Sequence, residues 1–250
     1  MEMTGERIVS AVKSIRSQAP GIGAYKLFLI LHDTFPQEMP GRDAFYRIMH
    51  ENHLMLKPGK RRHTTNSNHN YRKYKNLVKD LRPAGVNQLW VADITYIETD
   101  EEVTYLHLLT DAFTHEIIGW VLSDSLVAAN TLSALDMAIA ATRHMGLENL
   151  IHHSDRGSQY CCNAYVERLQ SIHATISMTE DYKPTDNAIA ERVNGIIKQE
   201  WVYRMPRYRN KAEAQKSLEN IIDFYNNRRP HMNNEGMMAP RKFREMLTMA

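Results

Sequence analysis

The chain has 250 residues, 43% hydrophobic and 24% charged, the balance of an ordinary globular protein. That length gives room for one substantial core and a second small domain, while no apolar run approaches the roughly 18 residues that span a bilayer and MEMTGERIVS lacks the regions of a signal peptide, so a cytoplasmic protein is expected. The net charge of +2 hides an asymmetry: residues 1–85 carry 15 Lys/Arg against 7 Asp/Glu, residues 86–180 carry 3 against 13, and residues 181–250 carry 13 against 9. Basic flanks suit a polyanion such as nucleic acid, and an acidic middle repels it unless cations intervene, so the pattern asks for a divalent metal.

The first segment places Ile8, Val12 and Ile15, then Leu27, Ile30 and Leu31, then Phe45, Ile48 and Met49 at helical spacing, punctuated by Pro20, Gly21, Gly23, Pro36, Pro40 and Gly41. Three short helices over residues 1–56 follow, either a helix-turn-helix-like DNA reader with Arg42 and Arg47 on its third helix or a small bundle with a solvated basic face. Residues 57–85 are basic and polar, as in a linker or arm. Arg61, Arg62, Arg72 and Lys73 there would meet phosphate, and Tyr71 and Tyr74 would stack on bases, unless the segment is only a solvated connection.

After Pro83 and Gly85 the texture turns to β. QLWVADITYIET, VTYLHLLTDAFT and HEIIGWVLSD read as three antiparallel strands. AANTLSALDMAIAATRHMG is a helix, NLIHHSD a fourth strand, NAYVERLQ a helix and HATISMT a fifth strand. Pro184 and Asp186 open the helix NAIAERVNGIIKQEW with Asp186 as N-cap, and a final helix covers KAEAQKSLENIIDFYNNRR. This order describes a mixed α/β sheet of the ribonuclease H type over residues 86–205, with a C-terminal helical extension over 206–250.

Asp93 interrupts an apolar strand, where alternation alone makes a solvated residue the ordinary reading. Asp155 follows the fourth strand at the edge where open α/β sheets gather ligands, and Gly157 turns the chain at once. Glu191 is separated from Asp155 by 35 intervening residues, and Asn187, Glu191, Asn194 and Lys198 share one polar helix face, which by itself is most often a solvated stripe. Three carboxylates from three elements at one sheet edge suit two Mg²⁺ ions, one activating the attacking oxygen and the other stabilising the leaving oxygen of a phosphodiester. His152, Cys161 and Cys162 favour softer metals, and the adjacent cysteines neither staple a fold nor form a zinc knuckle. His153 shares the strand face of Asp155 and would support the site. Asp111 ends a strand too and ranks as a turn-forming or supporting carboxylate, while Asp124, Asp136 and Glu148 read as caps or surface charges.

These residues are similar to a known set. NQLWVADITYI, HHSDRGSQY and DNAIAERVNGIIKQE, with FYNNRRPH and APRKF further on, resemble the ordered motifs of the OrfB integrase-core product of DDE transposases of the IS-three insertion-sequence family. The resemblance runs from about Pro20 to Phe243 and includes the basic residue seven positions beyond the glutamate, here Lys198. It implies a ribonuclease H-like, retroviral integrase-type core in which Asp93, Asp155 and Glu191 are catalytic and bind Mg²⁺, with Mn²⁺ as a substitute. It also implies DNA strand cleavage, 3′-hydroxyl strand transfer at insertion-sequence ends, Lys198 on terminal DNA, self-association in the active complex, and a bacterial cytoplasmic, nucleoid-associated setting. Family members usually act as a frameshift fusion, and this chain begins at Met1 without a heptad run, so an upstream OrfA product or fusion is an expected partner. The rival readings are a noncatalytic DNA-binding regulator of transposition and a ribonuclease H-like nuclease that cuts without joining.

Overall fold

In the computed structural model of this protein, residues 3–56, 71–180 and 187–248 are described, and Arg61, Arg62, Pro184 and Asp186 lie outside them. Three helices come first, α1 (Gly5–Gln18), α2 (Ala24–Thr34) and α3 (Arg42–Glu51), followed by strands β1 (Leu89–Glu98), β2 (Val103–Asp111) and β3 (Ile117–Ser123). Then come α4 (Ala128–Thr142), β4 (Ile151–Ser154), α5 (Ser158–Cys161), α6 (Asn163–Ser171), β5 (Thr175–Met178), α7 (Ala188–Glu200), α8 (Lys211–Asn227) and α9 (Pro240–Thr248). The sheet order is β3-β2-β1-β4-β5. β1 to β3 form the expected antiparallel meander, and β4 and β5 join β1 in parallel, so the mixed α/β expectation holds. The short helix α5 and the C-terminal α9 are additions to the sequence reading. No described helix is long and apolar enough to cross a membrane.

Alternation along β1 decides which helix each side chain meets. Trp90 and Ala92 enter a core with Leu135 and Ala138 of α4 and Tyr165 and Leu169 of α6. Leu89 and Val91 cluster instead with Ala190 of α7. Asp93, two residues beyond Val91, therefore belongs to the α7 side of the sheet. On the other face α4 approaches β3 so closely that a Cβ at Gly119 would collide with the carbonyl oxygen of Ala134, which leaves glycine as the residue that fits.

The N-terminal helices do not form a core of their own. Ile8, Val12, Leu27, Phe45 and Met49 share one cluster with Val193, Trp201, Leu218 and Tyr225. The seam is held by polar bonds: Gly21 N–H donates to the Glu200 carbonyl at 2.7 Å, and Trp201 Nε1 donates to the Gln18 carbonyl at 2.8 Å. A Cβ on Gly21 would stand 2.5 Å from the Glu200 backbone, so the close approach needs glycine. At the centre the Glu200 carboxylate accepts from Arg229 Nε and Nη2, both at 2.8 Å, and from Lys26 Nζ at 2.9 Å. Burial pushes that carboxyl up, and the bonds and charges of Arg229 and Lys26 outweigh it, leaving Glu200 below its ordinary value.

Beyond α8 the chain wraps the β2–β3 turn. Asn226 accepts from Ile117 N–H at 3.0 Å and donates to the Ile117 carbonyl at 2.8 Å, as a neighbouring strand would. Glu116, 1% exposed, is met by Arg241 at 2.9 Å and Arg244 at 3.0 Å. At the other side of the sheet, the described part of the basic segment lies along β5. Met178 N–H donates to the Lys75 carbonyl at 3.2 Å, and Leu77 N–H to Ser177 Oγ at 2.9 Å. Residues 75–78 are thus bound along the sheet, in contrast to a solvated linker.

Candidate active site

The parallel pairing of β1 with β4 aligns Leu89 with Ile151, Trp90 with His152 and Val91 with His153. The paired stretch ends there, two residues short of Asp93 on β1 and of Asp155, which lies one residue past the end of β4, and the two acids are near enough for the charge of Asp155 to act on Asp93. Asp155 is held in the turn by accepting from Gly157 N–H at 2.9 Å. Asp93 accepts from the N–H of Ile94 at 2.9 Å.

α7 lies over this edge, and two asparagines of its polar face turn inward to the sheet. Asn194 Nδ2 donates to Asp93 Oδ2 at 2.7 Å, and Asn187 Nδ2 donates to the Ala92 carbonyl at 2.9 Å. Both asparagines are buried, whereas Glu191 on the same stripe is exposed and Lys198 half-buried, so the face is divided between the sheet and solvent. Asn187 also takes the cap position of α7, without a side-chain capping bond, and the expected cap Asp186 lies outside the described residues. Its amide is committed to β1, which fixes the helix against the strand that carries Asp93.

The carboxylates act on one another. Asp93 is pushed up to about 7, first by burial and then by the negative charge of Asp155, with a smaller push from Glu191; the bonds from Asn194 and Ile94 oppose this. Lys198 is pulled down by burial and held up in part by Asp93 and Glu98, so its ammonium stands within electrostatic reach of the same strand. A fully apolar neighbourhood would raise a carboxyl without any of these charge effects. Burial is thus the main cause of the Asp93 shift, and the charges of Asp155 and Glu191 add to it.

The donor set is three carboxylates, hard oxygen ligands that match a hard divalent cation. In the present arrangement, no group of three His, Cys, Asp or Glu side chains among the described residues stands close enough to hold one ion. Both oxygens of Asp93 rest instead on protein donors, Asn194 and Ile94.

Other singled-out residues are placed differently. His153 is fully buried beneath the edge, its Nδ1 2.8 Å from Ser177 Oγ. His152 faces the opposite core, bonded to Tyr165 Oη at 2.9 Å and driven down to about 3 by burial and His153. Cys161 packs in that core, and its thiol is pushed up to about 11 by burial and Asp155 against the pull of Lys73 and Arg156, which puts those two cations near the same corner. Asp111 is bound inside its turn, accepting from Asn87 N–H, Thr114 N–H and Thr114 Oγ at 2.8 to 2.9 Å and from Phe113 N–H at 3.1 Å. Arg42 and Arg47 are exposed on α3, with Arg42 3.4 Å from Asp43. Arg72 lies over the Tyr74 ring at 5.1 Å, and Lys73 is exposed. The sequence reading assigned no role to Glu200, Glu116, Asn226 or Arg229; the only signal available was the clustered FYNNRRPH and APRKF stretches in which Asn226, Arg229 and Arg241 fall.

The chain is similar to known proteins in sequence and in fold. Residues 83–184 match one family model described as an integrase core domain, and residues 172–238 match a second of the same description. A 31 kDa protein of the insertion element IS600 from Shigella sonnei is 36% identical over 207 residues, covering 82% of this chain and 75% of that protein. The transposase for insertion sequence element IS629, also from Shigella sonnei, is 38% identical over 143 residues, covering 57% of this chain and 47% of that protein. Among solved structures, the catalytic core domain of HTLV-2 integrase, determined in complex with magnesium, superposes with a TM-score of 0.51 at 20% identity, covering 65% of this chain and 99% of that domain. That likeness is one of fold, a ribonuclease H-like sheet with helices on both faces.

Proposed function

Because this chain belongs to the insertion-sequence transposases built on an integrase core domain, we propose that it is a DDE transposase cutting and rejoining DNA strands at the ends of an insertion sequence. The observation that supports the reading is the electrostatic effect of Asp155 and Glu191 on the Asp93 carboxyl, at the end of the parallel pairing of β1 with β4. Asp93, Asp155 and Glu191 are the proposed catalytic acids and the proposed holders of divalent metal, with magnesium, as found in the HTLV-2 domain, the first choice and Mn²⁺ a substitute. When bound, a pair of such ions supplies charge neutralisation at the phosphodiester and lowers the cost of forming the attacking oxygen anion.

The chain's own residues have separable parts in this reading. Asn194 and Asn187 hold Asp93 and its strand against α7, so the two halves of the acid set keep their relative position. His153 supports the edge from below through Ser177. Lys198, near Asp93 on the α7 face, meets the phosphate of terminal DNA. Arg72 and Lys73, and Arg42 and Arg47 of α3, extend the contact with DNA, as do Arg61 and Arg62. In the same proposal residues 1–56 are a helical DNA-reading unit, 57–85 a basic connection, 86–205 the catalytic core and 206–250 an extension. Joining two ends implies self-association, and an upstream OrfA product or fusion is a further partner.

Incubation of the protein with labelled element-end DNA and Mn²⁺ tests the reading. Joined products are expected. Cleavage without joining would make the protein a ribonuclease H-like nuclease, and binding without cleavage would make it a regulator.

A further inference from the structure

A cavity of about 240 Å³ lies on the side of α7 away from the carboxylates. Its α7 wall runs from Ala188 to Ile196, and successive steps of 100° along a helix set those lining positions opposite the face of Asn187, Glu191 and Asn194. The other walls carry Lys26, His115, Arg229 and His231, and Arg192 of α7 completes a ring of basic groups. Lys26 and Arg229 share the single carboxylate Glu200, whereas Arg192 forms no ion pair among the described residues, so the walls hold an excess of positive charge.

His231 gives a second, independent sign. It is 6% exposed, its ring stacks on His115 with centroids 4.0 Å apart, and its Nδ1 has no hydrogen-bond partner among the described residues. A buried polar atom left in that condition costs free energy unless a ligand meets it. Burial, then His115, Arg229, Lys26 and Arg192 in turn, drive the ring down to about 2, which registers the positive field that fills the cavity. The volume is below the roughly 300 Å³ at which pockets for drug-sized ligands begin, so the fitting guest is a small anionic group.

We propose that this cavity is an anion site that takes one backbone phosphate of the DNA engaged on the opposite face of α7, with Arg192 and the Nδ1–H tautomer of His231 as its donors. The proposal rests on the strand-transfer reading. One helix then carries contacts to the DNA on two faces: Glu191 and Lys198 toward the reacting bond, Arg192 toward a phosphate elsewhere on the backbone. Arg192 is exposed and His231 buried, so the guanidinium is open to an arriving phosphate while the ring nitrogen is shielded from water.

The test uses the full chain with ¹⁵N-labelled histidine rings, the His231 signal being assigned from its loss in His231→Gln. A short labelled duplex of arbitrary sequence is expected to shift the His231 signal, and inorganic phosphate is expected to shift it in the same direction and to compete. Arg192→Gln should raise the duplex concentration needed for that shift at least about tenfold, and Arg192→Lys should recover part of the loss. The buried His152 signal, on the far face of the sheet, serves as the check that each variant is folded. Duplex binding that leaves His231 unmoved overturns the proposal, as does an unchanged response in folded Arg192→Gln. A response to phosphate but not to duplex overturns it as well, by making the cavity a site for a free small anion. Mn²⁺-dependent cleavage by the unaltered chain is scored separately. Cleavage with a silent His231 removes this site alone, and a responsive His231 without cleavage removes the transposase reading alone.

Discussion

Asp93 and Asp111 stand in adjacent antiparallel strands of one sheet, the first half-buried and the second buried, and the protein treats them in opposite ways. Asp111 is enclosed by four donors from Asn87, Phe113 and Thr114, and it organises the turn that joins β2 to β3. Asp93 has two donors and faces the like charges of Asp155 and Glu191. Burial raises both carboxyls, but only at Asp93 do neighbouring acids add to it. A carboxylate wrapped in donors serves the fold, whereas one kept beside other acids burdens the fold and serves whatever cation relieves it.

The sharpest way to break this comparison lies at the acid cluster. Asp155→Asn is expected to lower Mn²⁺-dependent cleavage of element-end DNA by more than about 100-fold, the upper range for losing even a supporting partner of a metal ligand. Duplex affinity, measured by gel shift, should stay within a few-fold, and an equal loss in both assays would remove Asp155 from the chemistry. Asp111→Ala should instead cost about 3 kcal/mol in denaturant unfolding, because it strands several buried donors. A loss under about 1 kcal/mol would mean that the turn does not depend on it.

The pH dependence sharpens the contrast. Asp93 titrates at about 7 in the folded chain against an ordinary 3.8, so the unfolded chain releases that proton first. Stability is therefore expected to fall as pH rises from near 4 to near 7, by on the order of 2 kcal/mol once partial solvation of the side chain is allowed for. Asp93→Asn should flatten this window in unfolding midpoints taken across pH, and Mn²⁺ at neutral pH should restore stability to the unaltered chain but not to the variant. An equally steep fall in Asp93→Asn would assign the pH dependence to another group. The smallest effect belongs to Lys198→Ala, which should weaken duplex binding several-fold and reduce the slope of log affinity against log salt by about 0.9, with Mn²⁺-dependent stabilisation unchanged.

Much of this was legible from local pattern. The alternation in WVADITY and the apolar run in LIHHS announce strands, and these pair in parallel from Leu89 with Ile151 to Val91 with His153, just short of the two acids. The polar face of α7 was visible too, but its direction was not: helical spacing states which residues share a side, and only packing against β1 shows that Asn187 and Asn194 point inward. The Lys26–Glu200–Arg229 cluster and the Asn226 contact with Ile117 escaped because each joins residues from distant parts of the chain, and nothing local distinguishes a buried Glu200 from a solvated one. The same holds for the N-terminal helices. Their spacing predicts three helices, whereas their sharing of one core with α7 and α8 is a fact of tertiary packing.

The Asn226 amide on β3 and the Lys75 carbonyl on β5 have a consequence for how copies of this protein meet. β3 and β5 are the two outer strands, the places where exposed backbone would invite a foreign strand to zip on and seed aggregates. A borrowed amide blocks one margin and a tethered stretch of chain blocks the other. These two contacts leave less open backbone at the sheet margins for a second copy to pair with.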